Sequence, residues 1–420
     1  MGNLKQKESF LNKTCQNLII SHLKNMTKGH LSLTLPDGKN FIFGKDLKSP
    51  KAELKINHIK VFRDIILKGD IGFGESYVKG QWDTPCIFSV ISWFILNIEQ
   101  GISISGSQRK ENPFINLFKF INKISHKLKD NTIKGSKKNI EDHYDISNEF
   151  YKTFLDKSMT YSCALFDRQQ KNLESAQKDK YLALAKKLKI SSSDHVLEIG
   201  TGWGGLSLFL AKEFGCKVTT ITISNEQLEY SKDLHKKENV DHKIDLKLMD
   251  YRDLEGTFDK VISIEMIEAV GHKFYDTFFK KINEVLSPNG LIGLQVITSP
   301  HSRYKEFKKG IDWIQKHIFP GSLLPSVQTM NQSLVKNGGF ELYSLKDMGQ
   351  DYALTLNKWA ENFNNNIDQI EKLGFSKNFI RKWNYYFKYC EAAFFQKNIS
   401  VVQLIYSKPN NLFSHQRGLN

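Results

Sequence analysis

The sequence predicts an α/β fold: a mostly parallel sheet with helices on both faces, preceded by a smaller mixed domain. From residue 190 onward, short apolar strand-like stretches alternate regularly with helix-like ones. The first of them, "VLEIGTGWGG" (196–205), runs into a turn of four glycines and then into "LSLFLAKEF", which has helical periodicity. The first hundred residues show no such alternation, and a length of 420 residues suits two or three domains.

In chain order, "HLSLTLPDGKNFIFG" alternates like a hairpin around Asp37 and Gly38. "HIKVFRDIILKGDIGFGESYVKGQWDTP" reads as a helix followed by a glycine-rich loop, and "CIFSVISWFIL" (86–96) is an apolar run too short to span a bilayer. "GISISGSQRKENP" has the composition of a linker. Residues 114–140 place Phe, Ile and Leu at helical spacing among seven lysines, a basic amphipathic helix suited either to an anionic surface or to packing on the next domain. Strands are expected at 195–199, 217–223, 244–249, 258–264 and 291–297, with "GGFELYSLKDMG" and "SVVQLIYSK" as two more. The resulting domains are 1–105, a basic segment at 106–142, and 143–420.

A net charge of +15 and a pI near 9.3 point to an anionic partner, nucleic acid or an acidic membrane surface, or to simple lysine bias. The opening residues lack the apolar core of a signal peptide, and five cysteines show no metal or disulfide spacing. The expectation is a reducing cytoplasm.

Gly200, Gly202 and Gly205 satisfy G-x-G-x-x-G, so a dinucleotide site has to be considered. The following strand, however, ends in Thr220, Ile221, Thr222, Ile223 and Ser224, with no acid to hold a ribose. An acid instead precedes the turn, at Glu198, which suits a cationic or zwitterionic ligand. The pattern E-x-G-x-G-x-G resembles the first motif of class I S-adenosylmethionine-dependent methyltransferases. That resemblance implies a Rossmann-like, seven-stranded, mostly parallel sheet, ribose contacts at Thr222 and Gln227, and an adenine contact at Asp250. Asp250 is also placed to cap the helix that follows it.

Four further stretches narrow the resemblance: "HYDISNEFYKTFLDKSMTYSCALF" (143–166), "IEMIEAVGHKFYDTFF" (264–279), "IQKHIFPGSLLPS" (314–326) and "YCEAAFFQKNISVVQLIYSKP" (389–409). With "LEIGTGWGG" and "VTTITISNEQ", they closely resemble the cyclopropane-fatty-acyl-phospholipid synthase and mycolic acid cyclopropane synthase family. The resemblance implies transfer of a methylene from S-adenosylmethionine to the cis double bond of a phospholipid acyl chain, with the intermediate carbocation deprotonated by bound bicarbonate. It implies Glu268, Tyr352 and Cys163 at the bicarbonate site. Gln295 and Ile297 stand where the synthases carry His-x-Ile, so a cyclopropane, a methyl branch or a methylene chain all remain open as products. It further implies cofactor contacts from Tyr144, Tyr161, Ser162, Glu198, Gly200 and Gly202, with Glu265 neighbouring the cofactor or competing with Glu268 as the functional carboxylate.

The implied partner is unsaturated phospholipid in an anionic membrane surface, met from the cytoplasmic side, and the implied assembly is a homodimer. Aromatic residues Phe319, Trp359, Phe363, Trp383, Tyr385, Tyr386, Phe387, Phe394 and Phe395 suit ordinary core, with a minority lining an acyl tunnel. A nucleic-acid methyltransferase is disfavoured, because "EMIEAV" follows the fourth strand where base methylation would need an Asn/Asp-Pro-Pro-aromatic tetrapeptide. A lipid-binding relative without catalysis is disfavoured by the intact Glu198, Gly200, Gly202 and Glu268.

Overall fold

The computed structural model describes residues 2–46, 50–99, 147–166 and 172–411. The basic segment at 106–142 and Tyr144 lie outside the described residues. The chain forms two compact units. One comprises residues 1–128, 305–320 and 359–398, and the other residues 129–304, 321–358 and 399–420.

The first unit carries a four-stranded sheet of β1 (His30–Thr34), β2 (Asn40–Phe43), β3 (Lys51–Ile56) and β4 (Trp82–Asp83), in the order β2-β1-β3-β4. β1 and β2 form the expected antiparallel hairpin, with Leu33 opposite Phe41 and Gly38 in the turn at φ +84°. The glycine-rich stretch expected to be a loop is a second helix, Asp70–Val78, which follows Lys60–Lys68 after a break at Gly69. The physical reason is close approach: a Cβ on Gly72 would lie 2.0 Å from the Asp64 carbonyl oxygen, and one on Gly74 would lie 2.5 Å from the Trp313 ring. Glycine here admits neighbours to a helix surface rather than loosening the chain. The apolar run at 86–96 forms the buried helix Ile87–Leu96. Of the C-terminal aromatics, Trp359, Phe363, Trp383, Tyr385, Tyr386, Phe387 and Phe394 are buried, in keeping with a core role, while Phe395 is exposed.

The second unit holds the seven-stranded sheet. Its strands are β5 (His195–Ile199), β6 (Lys217–Thr222), β7 (Ile244–Leu248), β8 (Phe258–Ile264), β9 (Leu286–Thr298), β10 (Glu341–Asp347) and β11 (Ser400–Ser407), ordered β10-β11-β9-β8-β5-β6-β7. β5 to β9 are parallel, and β11 runs antiparallel to both β9 and β10. The branched, apolar central strands bury both faces. One face packs on the helices Tyr275–Val285 and Val327–Gly338 through Phe278, Ile282, Met330 and Leu334, the other on Leu173–Lys187 and Gly205–Glu213 through Leu184, Leu188, Leu206 and Leu210. The parallel strands therefore end together on one edge, where an α/β sheet places its ligands.

Candidate active site

The turn after β5 takes left-handed backbone at Gly200 (φ +102°), Gly202 (φ +55°) and Gly204 (φ +83°). The three glycines differ in surroundings. A Cβ on Gly204 would sit 2.8 Å from His235 Nε2, whereas one on Gly202 would meet nothing within 4 Å. Gly202 thus leaves the turn open for a ligand to approach its backbone. Glu198, on β5 two residues before Gly200, is buried and accepts from Thr220 Oγ1 at 2.6 Å, and Thr220 is joined to Thr201 at 2.7 Å. Burial pushes its carboxyl up to about 8 against the pull of hydrogen bonding from Thr220 and Ser207.

At the end of β6, Thr222 Oγ1 donates to Gln227 Oε1 at 2.8 Å and accepts from Ser224 N at 3.1 Å. The two residues expected at a ribose are therefore already coupled. Asp250 accepts from Arg252 N at 3.0 Å and from its guanidinium at 3.1 Å, capping the short helix Tyr251–Asp253. Asp250 thus plays the capping part.

Four of the expected residues converge beyond β8. Glu265, at φ +51° with its N–H donating to the Gln295 carbonyl at 2.7 Å, turns its carboxylate back over the ends of β8 and β9. Its Oε1 accepts from Cys163 N (2.9 Å) and Gln295 Nε2 (2.8 Å), and its Oε2 accepts from Tyr352 OH (2.8 Å). Cys163, Gln295 and Tyr352 are thus gathered on Glu265. Glu268, three residues on, bonds elsewhere: its Oε1 accepts from Ile297 N at 2.5 Å. Its Oε2 is buried with no hydrogen-bond partner among the described residues. Burial first, and the Glu265 charge second, push Glu268 up to about 8. Burial also raises Glu265, opposed chiefly by the Gln295 hydrogen bond and the Lys180 charge.

The Cys163 thiol is fully buried, donates to the Ala164 carbonyl at 3.1 Å, and is held well above its ordinary pKa by burial. It is no thiolate nucleophile. What Cys163 contributes to the cluster is its backbone: the N–H donates to Glu265, and the carbonyl accepts from Gln295 Nε2 at 3.1 Å. Tyr161 is half-buried against Tyr151 and Phe154, at ring distances of 5.5 and 5.9 Å.

Two residues of the cluster had not been anticipated. Gln403, on β11 directly opposite Gln295, donates to Gln295 Oε1 at 3.1 Å and to the Lys180 carbonyl at 3.3 Å. This fixes which end of the Gln295 amide faces Glu265. Lys180 is wholly buried and donates to Ser162 Oγ at 2.7 Å. Both carry a signal in the sequence: Lys180 falls on the apolar stripe of its helix with Ala176 and Leu184, and Gln403 interrupts the apolar run "SVVQLIYS". A polar residue on a buried stripe has to find a partner.

The strand order, with one antiparallel strand inserted beside β9, and the open glycine turn at the end of β5 are those of a class I S-adenosylmethionine-dependent methyltransferase. Residues 131–404 match the family model of mycolic acid cyclopropane synthetase. Over 342 residues the chain is 34% identical to tuberculostearic acid methyltransferase of Mycobacterium tuberculosis, covering 80% of this chain and 78% of that one. It is 32% identical over 363 residues to cyclopropane-fatty-acyl-phospholipid synthase of Escherichia coli, covering 86% and 89%. The solved mycolic acid cyclopropane synthase CmaA1, complexed with SAH and CTAB, superposes with a TM-score of 0.60 at 27% identity, over 65% of this chain and 98% of that one. The chain belongs to the mycolic acid cyclopropane synthetase family, and it is an S-adenosylmethionine-dependent methyltransferase.

Proposed function

We propose that the protein transfers a methylene from S-adenosylmethionine to the cis double bond of an unsaturated phospholipid acyl chain, forming a cyclopropane. The observation that carries this reading is the convergence of Cys163, Gln295 and Tyr352 on Glu265, three residues from Glu268, whose buried Oε2 has no partner among the described residues. When bound, S-adenosylmethionine supplies an electrophilic methyl. The open face at Gly202 suits its approach to the backbone, and Thr222, Gln227 and Asp250 lie at the strand ends that would flank it.

An alkene is a weak nucleophile, so the chain's contribution is alignment and exclusion of water. Glu265 supplies fixed negative charge beside the reacting carbons, where positive charge develops, and its three donors hold that charge in place. Glu268, with its pKa near 8, carries a proton at neutral pH and so presents an O–H donor from Oε2. A donor in that position suits a small oxyanion. Bicarbonate held there would provide a base for the proton lost on ring closure.

A methyl-branched or methylene product is the second reading. It is favoured by Gln295, whose amide cannot titrate and is locked by Gln403, and by the likeness to a tuberculostearic acid methyltransferase. The net charge of +15 supports reversible attachment to an anionic lipid surface. Among the described residues no helix is long and apolar enough to cross a membrane. We further propose a homodimer as the working assembly.

The test is release of S-adenosylhomocysteine on vesicles of cis-unsaturated anionic phospholipid, against vesicles of the saturated equivalent. Turnover confined to the unsaturated lipid is expected, with stimulation by bicarbonate. Equal turnover on both would remove the alkene from the reading.

A further inference from the structure

Lys180 is a buried lysine beside the Glu265 cluster, and the other charged side chains acting on it are acids. It lies on the helix Leu173–Lys187, entirely buried, with its ammonium 2.7 Å from Ser162 Oγ and 4.5 Å from the centre of the Tyr181 ring. Its charge is felt at Glu265 and at Cys163, and in return Glu265, Cys163 and Asp156 act on it. No carboxylate forms a direct ion pair with it among the described residues, so the ammonium is held by a hydroxyl, a ring face and the field of Glu265. A buried charge without a contact counter-ion is costly, and a neutral residue of similar length would pack on the same stripe.

Ser162 lies within the segment that gives Cys163 N to Glu265 and whose Ser162 and Thr160 carbonyls accept from Gln177 Nε2 at 2.9 and 3.3 Å. The ammonium therefore touches this segment at the residue adjoining the one that binds the carboxylate. We propose that Lys180 is a positioning residue of the methyl-transfer site: through Ser162 its ammonium fixes the Thr160–Ala164 segment that presents Cys163 N to the Glu265 carboxylate, and it supplies this buried acidic cluster with positive charge.

The inference rests on the methyl-transfer reading above and makes a separate demand. If Lys180 only filled space, methionine would replace it without changing how the site titrates. If it supplies charge, the site loses its compensation for Glu265. Burial lowers Lys180 to about 8, so the native enzyme has this charge at neutral pH and sheds it in the alkaline range. The groups facing it are Glu265 on the loop after β8, Cys163 and Asp156 on the segment before its own helix, and Tyr181 beside it.

The experiment measures kcat and KM for S-adenosylmethionine across the pH range in the full chain, using unsaturated phospholipid vesicles, for the wild type, Lys180→Met and Lys180→Arg. In Lys180→Met the acid limb of kcat should move up by about one pH unit or more, and kcat at neutral pH should fall about tenfold or more. Lys180→Arg should keep the acid limb of the wild type, because a guanidinium retains the positive charge. A Lys180→Met profile that superimposes on the wild type would overturn the proposal. So would a Lys180→Arg enzyme as impaired as Lys180→Met. Should Lys180→Met not fold, Lys180→Gln measured in the same way decides: an acid limb moved up supports the role, and an unmoved one refutes it. A wild type that turns over no lipid would instead sink the methyl-transfer reading, leaving the two failures distinguishable.

Discussion

Replacing Glu268 by Gln should stabilise the protein increasingly as pH rises while lowering its activity. The carboxyl is 7% exposed, one oxygen accepts from Ile297 N, and the other has no partner among the described residues. Its pKa is about 8 in the folded chain against 4.5 for the ordinary group. The folded state therefore holds the proton more tightly than the unfolded state, and stability from this group is present below pH 4.5 and lost as pH rises towards 8. Each pKa unit corresponds to about 1.4 kcal/mol, so the wild type should lose roughly 3 to 4 kcal/mol from this side chain between about pH 5 and about pH 8. An amide of the same shape does not titrate. Packing differences between Gln and protonated Glu cancel when the two proteins are compared at two pH values, which leaves the slope as the diagnostic quantity. The assay is urea unfolding of both proteins at several pH values, read on the transition of the second unit, with S-adenosylhomocysteine release measured in parallel. A stability difference that does not change with pH would refute the claim that ionisation of this buried carboxyl goes uncompensated.

Three other outcomes are expected. Tyr352→Phe removes one charge-assisted hydrogen bond to Glu265, worth about 1.5–3 kcal/mol, and should lower kcat by about tenfold to a hundredfold with a much smaller change in KM for S-adenosylmethionine, as steady-state kinetics would show. Gln403→Leu leaves Gln295 Oε1 without its donor and should cost about 1–3 kcal/mol in denaturant unfolding, with activity falling as the Gln295 amide loses its orientation. Gly202→Ala meets no neighbour but must adopt φ +55°; it should cost about 1 kcal/mol of stability and weaken S-adenosylmethionine binding by a larger factor in calorimetry, because the added methyl stands on the open face of the turn.

The parallel sheet was readable from the sequence because its determinants are local. Branched runs bounded by glycine and helix starts mark β5 to β9, and the two late strands repeat that pattern. The helix Asp70–Val78 was not, because Gly72 and Gly74 are required by Asp64 and by Trp313, a residue hundreds of positions away. The site divides in the same way. Glu198 and the turn glycines announce themselves by spacing. The choice between Glu265 and Glu268 as the hub does not, since both follow β8 and only the left-handed backbone at Glu265 aims one of them at Cys163, Gln295 and Tyr352. Lys180 and Gln403 belong to elements otherwise read as core. Their significance comes from Ser162 and Gln295, brought to them by tertiary packing.

The most direct test of the account is mass spectrometry of the fatty acids released from cis-unsaturated anionic phospholipid vesicles after incubation with the protein and S-adenosylmethionine. The account predicts acyl chains heavier by one methylene that no longer carry a double bond. A chain heavier by one methylene with its double bond retained or moved would contradict ring closure and favour the branched product. Unchanged acyl chains, with S-adenosylmethionine bound, would contradict the assignment of a lipid alkene as the acceptor.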